Sequence, residues 1–152
     1  MSGLATPGSG FRLTVRELEA VDLAADGLTI GAIAERLGVK AATVQSRLKL
    51  ARLKTGSLRT SALVHSTYAS KLLVRPPAEE PVKLSKDELQ VLGYLAEGLT
   101  VVEMKARVSW PDHRLRDAYG ELMTALGAVS RPAYAIKRAW AMGHLSGEQR
   151  TV

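Results

Sequence analysis

Residues 36–59, RLGVKAATVQSRLKLARLKTGSLR, decide how the rest of the chain is read. The stretch carries seven cations (Arg36, Lys40, Arg47, Lys49, Arg52, Lys54 and Arg59) and no Asp or Glu. Gly38-Val39-Lys40 reads as a turn. The residues after it have helical spacing, with Val44, Leu48 and Ala51 at i, i+4 and i+7 forming one apolar stripe. At about 100° per residue the opposite face carries Gln45, Ser46, Lys49 and Arg52. Amide, hydroxyl and cationic groups on one exposed helical face suit the base edges and phosphates of a DNA major groove.

Upstream, Thr14-Val15-Arg16-Glu17 is a capping box, so a helix opens there and runs to about Asp26, with Gly27 placed to stop it. Its apolar stripe is Leu18, Val21 and Ala25. Thr29 caps a short second helix whose apolar positions are Ile30, Ile33, Ala34 and Leu37. The third helix runs from about Ala41 to Thr55, ended by Gly56. Arg59-Thr60 leads into a fourth of about fifteen residues, ending near Val74. Before all of these, residues 1–10 are small and uncharged and read as a flexible leader.

Residues 75–83 contain Pro76, Pro77 and Pro81 and predict an extended, semi-rigid linker. After it the pattern begins again, displaced by 71 residues. Leu84-Ser85-Lys86-Asp87-Glu88-Leu89 repeats Leu13-Thr14-Val15-Arg16-Glu17-Leu18, and Glu97-Gly98-Leu99-Thr100 repeats Asp26-Gly27-Leu28-Thr29. Arg107 matches Arg36 and Gly127 matches Gly56. After one inserted residue Ser130-Arg131-Pro132 matches Leu58-Arg59-Thr60. The expected fold is therefore all-α: two tandem four-helix helix-turn-helix units, residues 11–74 and 84–146, joined by a Pro-rich linker.

These residues carry a family likeness. Leu13-Thr14, Arg16-Glu17-Leu18, Gly27-Leu28-Thr29, Ile33-Ala34, Leu37-Gly38-Val39 and Thr43-Val44 resemble the LuxR-type (GerE-like) helix-turn-helix domain. Gly56 and Arg59-Thr60-Ser61-Ala62-Leu63 resemble its closing motif, which Leu126 to Arg131 match better. Thr43-Val44-Gln45-Ser46-Arg47-Leu48 with Ala51-Arg52 is equally similar to the recognition helix of sigma-factor region 4. Either resemblance implies a four-helix unit whose third helix enters the major groove. The base-contacting positions of the LuxR-type family fall on Gln45, Ser46 and Lys49. Lys40, Thr43, Arg47, Arg52, Lys54 and Arg59 become phosphate neighbours. Lys40 departs from the Ser/Thr cap usual in that family, leaving helix amides that DNA could satisfy. The LuxR-type resemblance also implies a dimer contact through the fourth helix, residues 60–73. With no receiver, ligand-sensing or promoter-melting segment in view, a complete response regulator or sigma factor is not expected.

The third helix of the second unit keeps the fold signals and loses the chemistry. Gln45 becomes Arg116, Ser46 becomes Asp117, Lys49 becomes Gly120, Leu50 becomes Glu121, Arg52 becomes Met123 and Lys54 becomes Ala125. Two carboxylates repel phosphates, and most of the cations that release counterions are gone. Gly120 weakens a helix interior unless another backbone packs closely there. Ser109-Trp110-Pro111-Asp112 still predicts a helix start, with Ser109 as the cap. The second unit is thus expected to be a protein-interaction module, with Trp110, Arg116, Gly120 and Met123 as candidate interface residues.

The formal charge of +6 favours polyanionic partners, and its distribution is uneven. Residues 1–75 hold eleven Lys/Arg against five Asp/Glu, while residues 76–152 hold ten of each. Cysteine is absent, and His65, His113 and His144 have no ligand spacing, so no metal or cofactor is expected. Glu17 and Glu88 are explained by capping, and no phosphate loop or nucleophile motif appears. A cytoplasmic non-enzyme without a membrane span follows. The Ala-, Gly- and Arg-rich composition hints at a high-GC bacterium or its phage. Two functions fit: a sequence-specific regulator on double-stranded DNA, as a homodimer or with a transcription-machinery partner, or an adaptor that binds RNA polymerase or another transcription factor with little DNA specificity.

Overall fold

The computed structural model describes residues 12–147, and among them the secondary structure is entirely helical. The order is α1 (Val15–Ala25), α2 (Ile30–Leu37), α3 (Ala41–Thr55), α4 (Thr60–Ala69), α5 (Lys86–Ala96), α6 (Val101–Met104), α7 (Asp112–Ala125) and α8 (Pro132–Ala141). The leader, residues 1–10, lies outside the described residues. No described helix is long and apolar enough to cross a membrane.

Local chemistry sets the helix starts. The Glu17 amide donates to the Thr14 hydroxyl at 3.0 Å, and the Thr14 amide donates to the Glu17 carboxylate at 2.8 Å. Ser85 and Glu88 make the same reciprocal pair at the start of α5, at 3.1 and 2.9 Å. Thr29 caps α2, and Thr100 forms a capping box with Glu103 at α6. α6 is nevertheless a single turn, half the length of α2. α7 starts at Asp112 with Pro111 in the cap position, so the capping role expected for Ser109 is not used.

α4 ends at Ala69 and not near Val74. Lys71 takes a left-handed φ of +63°, and the Leu72 amide turns back to the Thr67 carbonyl at 2.9 Å. Gly143 fills the corresponding place after α8 with φ +80°. The same turn is therefore made once by glycine and once by a lysine, which meets a Cβ penalty there of roughly 1–2 kcal/mol.

One continuous core runs through both halves of the chain. Its seam is α4 packed on α8, the most extensive contact between elements, flanked by α1 on α8 and α4 on α5. Trp140 sits at the centre, 3% exposed. Its indole N–H donates to His65 Nδ1 at 3.0 Å, and its ring lies 5.6 Å from that of Tyr68. The flanking contacts are reciprocal. Gly27 lies against Arg131 and Tyr134, while Gly98, 71 residues later, lies against Arg59 and Ala62. Both glycines have φ near +90°, and a Cβ on Gly27 would meet Arg131 Nη1 at 2.8 Å. Residue i touching j while the equivalent of j touches the equivalent of i is the signature of an approximate two-fold contact. Lys137 also pairs with Asp26 across the seam.

The 75–83 segment is extended but is not a free spacer. The Glu79 amide donates to the Ala141 carbonyl at 2.8 Å, and the Glu79 carboxylate pairs with Arg138. His144 Nε2 lies 2.8 Å from the Val82 carbonyl. Pro76 is buried, and the Arg75 guanidinium stacks 5.4 Å from the Trp140 ring. The linker thus straps onto the end of α8.

Because the core is continuous, chemical unfolding followed by circular dichroism should show one transition and not two. Trp140→Ala should destabilise that whole transition by about 3–5 kcal/mol, the usual cost of deleting a buried tryptophan. Acid should act through Glu103, whose carboxyl is held below its ordinary range by the Thr100 amide and then by Arg59. A carboxyl lowered on folding stabilises above its unfolded value and loses that contribution as pH falls through the folded one. Glu103→Gln should therefore make the melting temperature fall less steeply than in the parent between pH values of roughly 5 and 3.

Candidate nucleic-acid interface

α3 is held from behind and open in front. Val44, Leu48 and Ala51 are buried against α1 and α2, as their spacing requires. Gln45, Ser46 and Lys49 are exposed. On the helical wheel Ser46 lies opposite the buried stripe, with Lys49 about 60° to one side of it and Gln45 about 40° further round. Arg52 and Arg47, both half-buried, flank this face from opposite sides, and Thr43 is half-buried near its start. Gly38 closes α2, and the Val39 amide returns to the Ala34 carbonyl at 3.0 Å, which aims the turn into α3. Lys40 occupies the N-cap in extended conformation with no side-chain cap hydrogen bond. The Thr43 amide, counterpart of the amides that Thr14 and Thr29 cap in α1 and α2, donates instead to the Lys40 carbonyl at 3.0 Å, and the turn presents the positive end of the α3 dipole.

The seven cations separate into two sets. Lys54 Nζ lies 2.9 and 3.0 Å from the two oxygens of Glu17, whose side chain is 5% exposed. Arg59 makes a bidentate pair with Glu103 at 2.7 and 3.1 Å and also donates to the Gly98 carbonyl at 2.8 Å. Lys54 and Arg59, expected as phosphate contacts, are thus committed to internal acids: one ties the end of α3 to the start of α1, the other ties the two halves together. Arg36, Lys40, Arg47, Lys49 and Arg52 form no ion pair among the described residues. Sequence alone did not separate the sets, because Glu17 lies 37 residues from Lys54 and Glu103 lies 44 from Arg59.

The face of α7 is different. Arg116, Asp117, Gly120 and Glu121 are exposed. Nothing lies within 4 Å of a Cβ built on Gly120, so the close backbone expected there is absent. Met123 is 2% exposed, a core residue and not a surface anchor. Trp110 is half-buried beneath the Arg114 guanidinium, 4.3 Å from its ring, and Arg114 is fixed in turn by a bidentate pair with Asp87 at 2.8 and 2.9 Å. Of the four candidate interface residues, Arg116 and Gly120 remain open and Met123 does not. α4, expected as a dimer contact, is covered by α8 of the same chain.

Residues 12–55 match the family described as Sigma-70, region 4. The match ends with the last residue of α3, so it spans the three helices that form and support the exposed face. α1 to α3 are a sigma-region-4-like helix-turn-helix. That points to a DNA-binding role in transcription and to a domain type without catalysis. No curated protein and no solved structure matches the chain.

The two cation sets should respond differently to truncation. Lys54→Ala leaves Glu17 buried with only its capping bond and should lower unfolding stability by about 1 kcal/mol. Lys49→Ala should change stability by less than about 0.5 kcal/mol, as an exposed residue with no internal partner. Urea denaturation of the two variants side by side measures the difference.

Proposed function

We propose that the chain is a sequence-specific transcriptional regulator that reads double-stranded DNA with α3. The observation that carries this is the set of cations on α3 and its approach, Arg36, Lys40, Arg47, Lys49 and Arg52, left without internal acids. Gln45, Ser46 and Lys49 contact base edges, where an amide pairs with adenine and an ammonium with guanine. Lys40, Thr43, Arg47 and Arg52 hold the phosphates on either side, and the positive end of the α3 dipole faces the same backbone. Lys54 and Arg59 drop out of this set, since each already has a carboxylate.

The second half serves as an internal partner. Both halves descend from one LuxR-type unit in this proposal, and α8 takes the place against α4 that a second molecule would otherwise fill. The reciprocal contacts of Gly27 and Gly98 support it, as do the matching capping boxes of α1 and α5. The chain then binds as a monomer to a single asymmetric half-site. α7, with Asp117 and Glu121 on its surface, stays off the phosphates.

Selection from a random DNA pool, followed by binding at several salt concentrations, tests both parts. The preferred site should be short and non-palindromic and should take up one chain per duplex. The three cations placed on phosphates, Lys40, Arg47 and Arg52, predict a slope of log affinity against log salt of about −2.7. Lys49→Ala should weaken the selected site about tenfold or more, and Lys54→Ala should leave the slope unchanged. A slope near zero would sink the DNA reading. A palindrome occupied by two chains would sink the internal-partner reading alone.

A further inference from the structure

A cavity of about 500 Å³ lies where the two halves meet, a volume within the range of small-molecule sites. Its walls come in pairs at the repeat spacing: Leu28 with Leu99, Thr29 with Thr100, Ile30 with Val101. Leu48 of α3 and Tyr119 of α7, another such pair, also line it. The cavity therefore sits on the approximate two-fold relation that joins the halves, and its lining is mainly apolar.

The symmetry fails at the charged pair of the lining, and the failure leaves a charge. Arg59 and Arg131 occupy equivalent positions in the wall. Arg59 is neutralised by Glu103. The residue equivalent to Glu103 in the first half is Ala32, so the acid that would meet Arg131 is missing from the sequence. Among the described residues Arg131 has no carboxylate partner. Its guanidinium lies over the Tyr134 ring at 4.6 Å and crosses the α1–α2 turn at Gly27. An apolar chamber with one held, unneutralised guanidinium is matched to a molecule of the same pattern. A phosphate group would call for several converging donors, whereas a single planar guanidinium suits one carboxylate or sulfonate.

We propose that this inter-half cavity binds an organic monoanion with an apolar body, its acid group on Arg131 and its frame between Leu28, Ile30, Leu99 and Val101. The body rests on Leu48, the inner face of α3, so an occupant touches the helix that carries Gln45, Ser46 and Lys49. The site depends on Arg131 and the cavity walls and not on what α3 binds.

Fluorescence titration of the full chain with 8-anilinonaphthalene-1-sulfonate, an apolar aromatic sulfonate, provides the test under conditions where circular dichroism shows the native fold. One saturable site per chain is expected, displaced by decanoate and about tenfold less well by decanol, the difference one charge-assisted hydrogen bond makes. Arg131→Ala, at an exposed residue, should weaken the probe about tenfold while Arg131→Lys retains part of the affinity. Val101→Trp, which fills the chamber without touching the charge, should abolish binding. Non-saturable binding, equal displacement by decanol, or affinity unchanged in either Arg131→Ala or Val101→Trp overturns the proposal.

Discussion

The contact between α4 and α8 is the constraint on which the rest depends. α4 is buried at residues 61–64 and at Thr67 and Tyr68, and α8 supplies its most extensive cover. Here Trp140 reaches across to His65 and packs on Tyr68, and the two last helices bury each other. The linker then straps over the joint, through Arg75 on the Trp140 ring and Glu79 on Arg138. One continuous core results, and α3 is presented on a base wider than its own three-helix motif could supply.

That arrangement allocates charge. The basic run that marks the chain at first sight does two kinds of work, and only the acids distinguish them. Glu17 is fixed at the start of α1 by its capping bond and reaches Lys54 from there. Glu103 is fixed in the same way at α6 and reaches Arg59. In both cases a capping carboxylate doubles as the partner of a cation distant in sequence. The cations without such partners are those on the turn and the outward face of α3, where neighbouring positive charges repel one another in the absence of a polyanion. Their mutual repulsion is a standing cost to the free protein that a phosphate backbone would relieve.

What was legible in the sequence was local. The two capping boxes, the limits of α3 and its buried stripe depend on residues within one or two turns of each other, and pattern alone identifies them. The burial of Met123 and the ion pairs of Lys54 and Arg59 depend on distant partners, whereas the end of α4 depends on one local backbone conformation. Met123 occupies the position of a surface cation in the first half, yet in α7 it is drawn into the core, where an unbranched thioether fills irregular space well. Lys54 and Arg59 looked like their neighbours because composition says nothing about which acid lies opposite. α4 stopped early because Lys71 adopts the left-handed turn that glycine makes after α8, a conformation that no propensity argument assigns to lysine.

The differences between the halves are as informative as their likeness. Where both halves serve the shared core, positions 71 or 72 residues apart keep similar roles: Tyr68 faces Trp140, Gly27 and Gly98 admit the opposite helix start, and Leu28 and Leu99 line the same cavity. Where a position faces outward the halves differ, and the direction of change is consistent. Lys49 gives way to Gly120 and Ser46 to Asp117, which removes a cation and adds a carboxylate on one half while Leu115 and Leu122 stay buried beneath. At the seam itself the change runs the other way, since Glu103 answers Arg59 while Ala32 leaves Arg131 unanswered. A two-fold interface between identical chains would have to satisfy both arginines or neither. Within one chain each side of the seam is free to differ, and that freedom lets one side be closed by an ion pair while the other keeps an open charge.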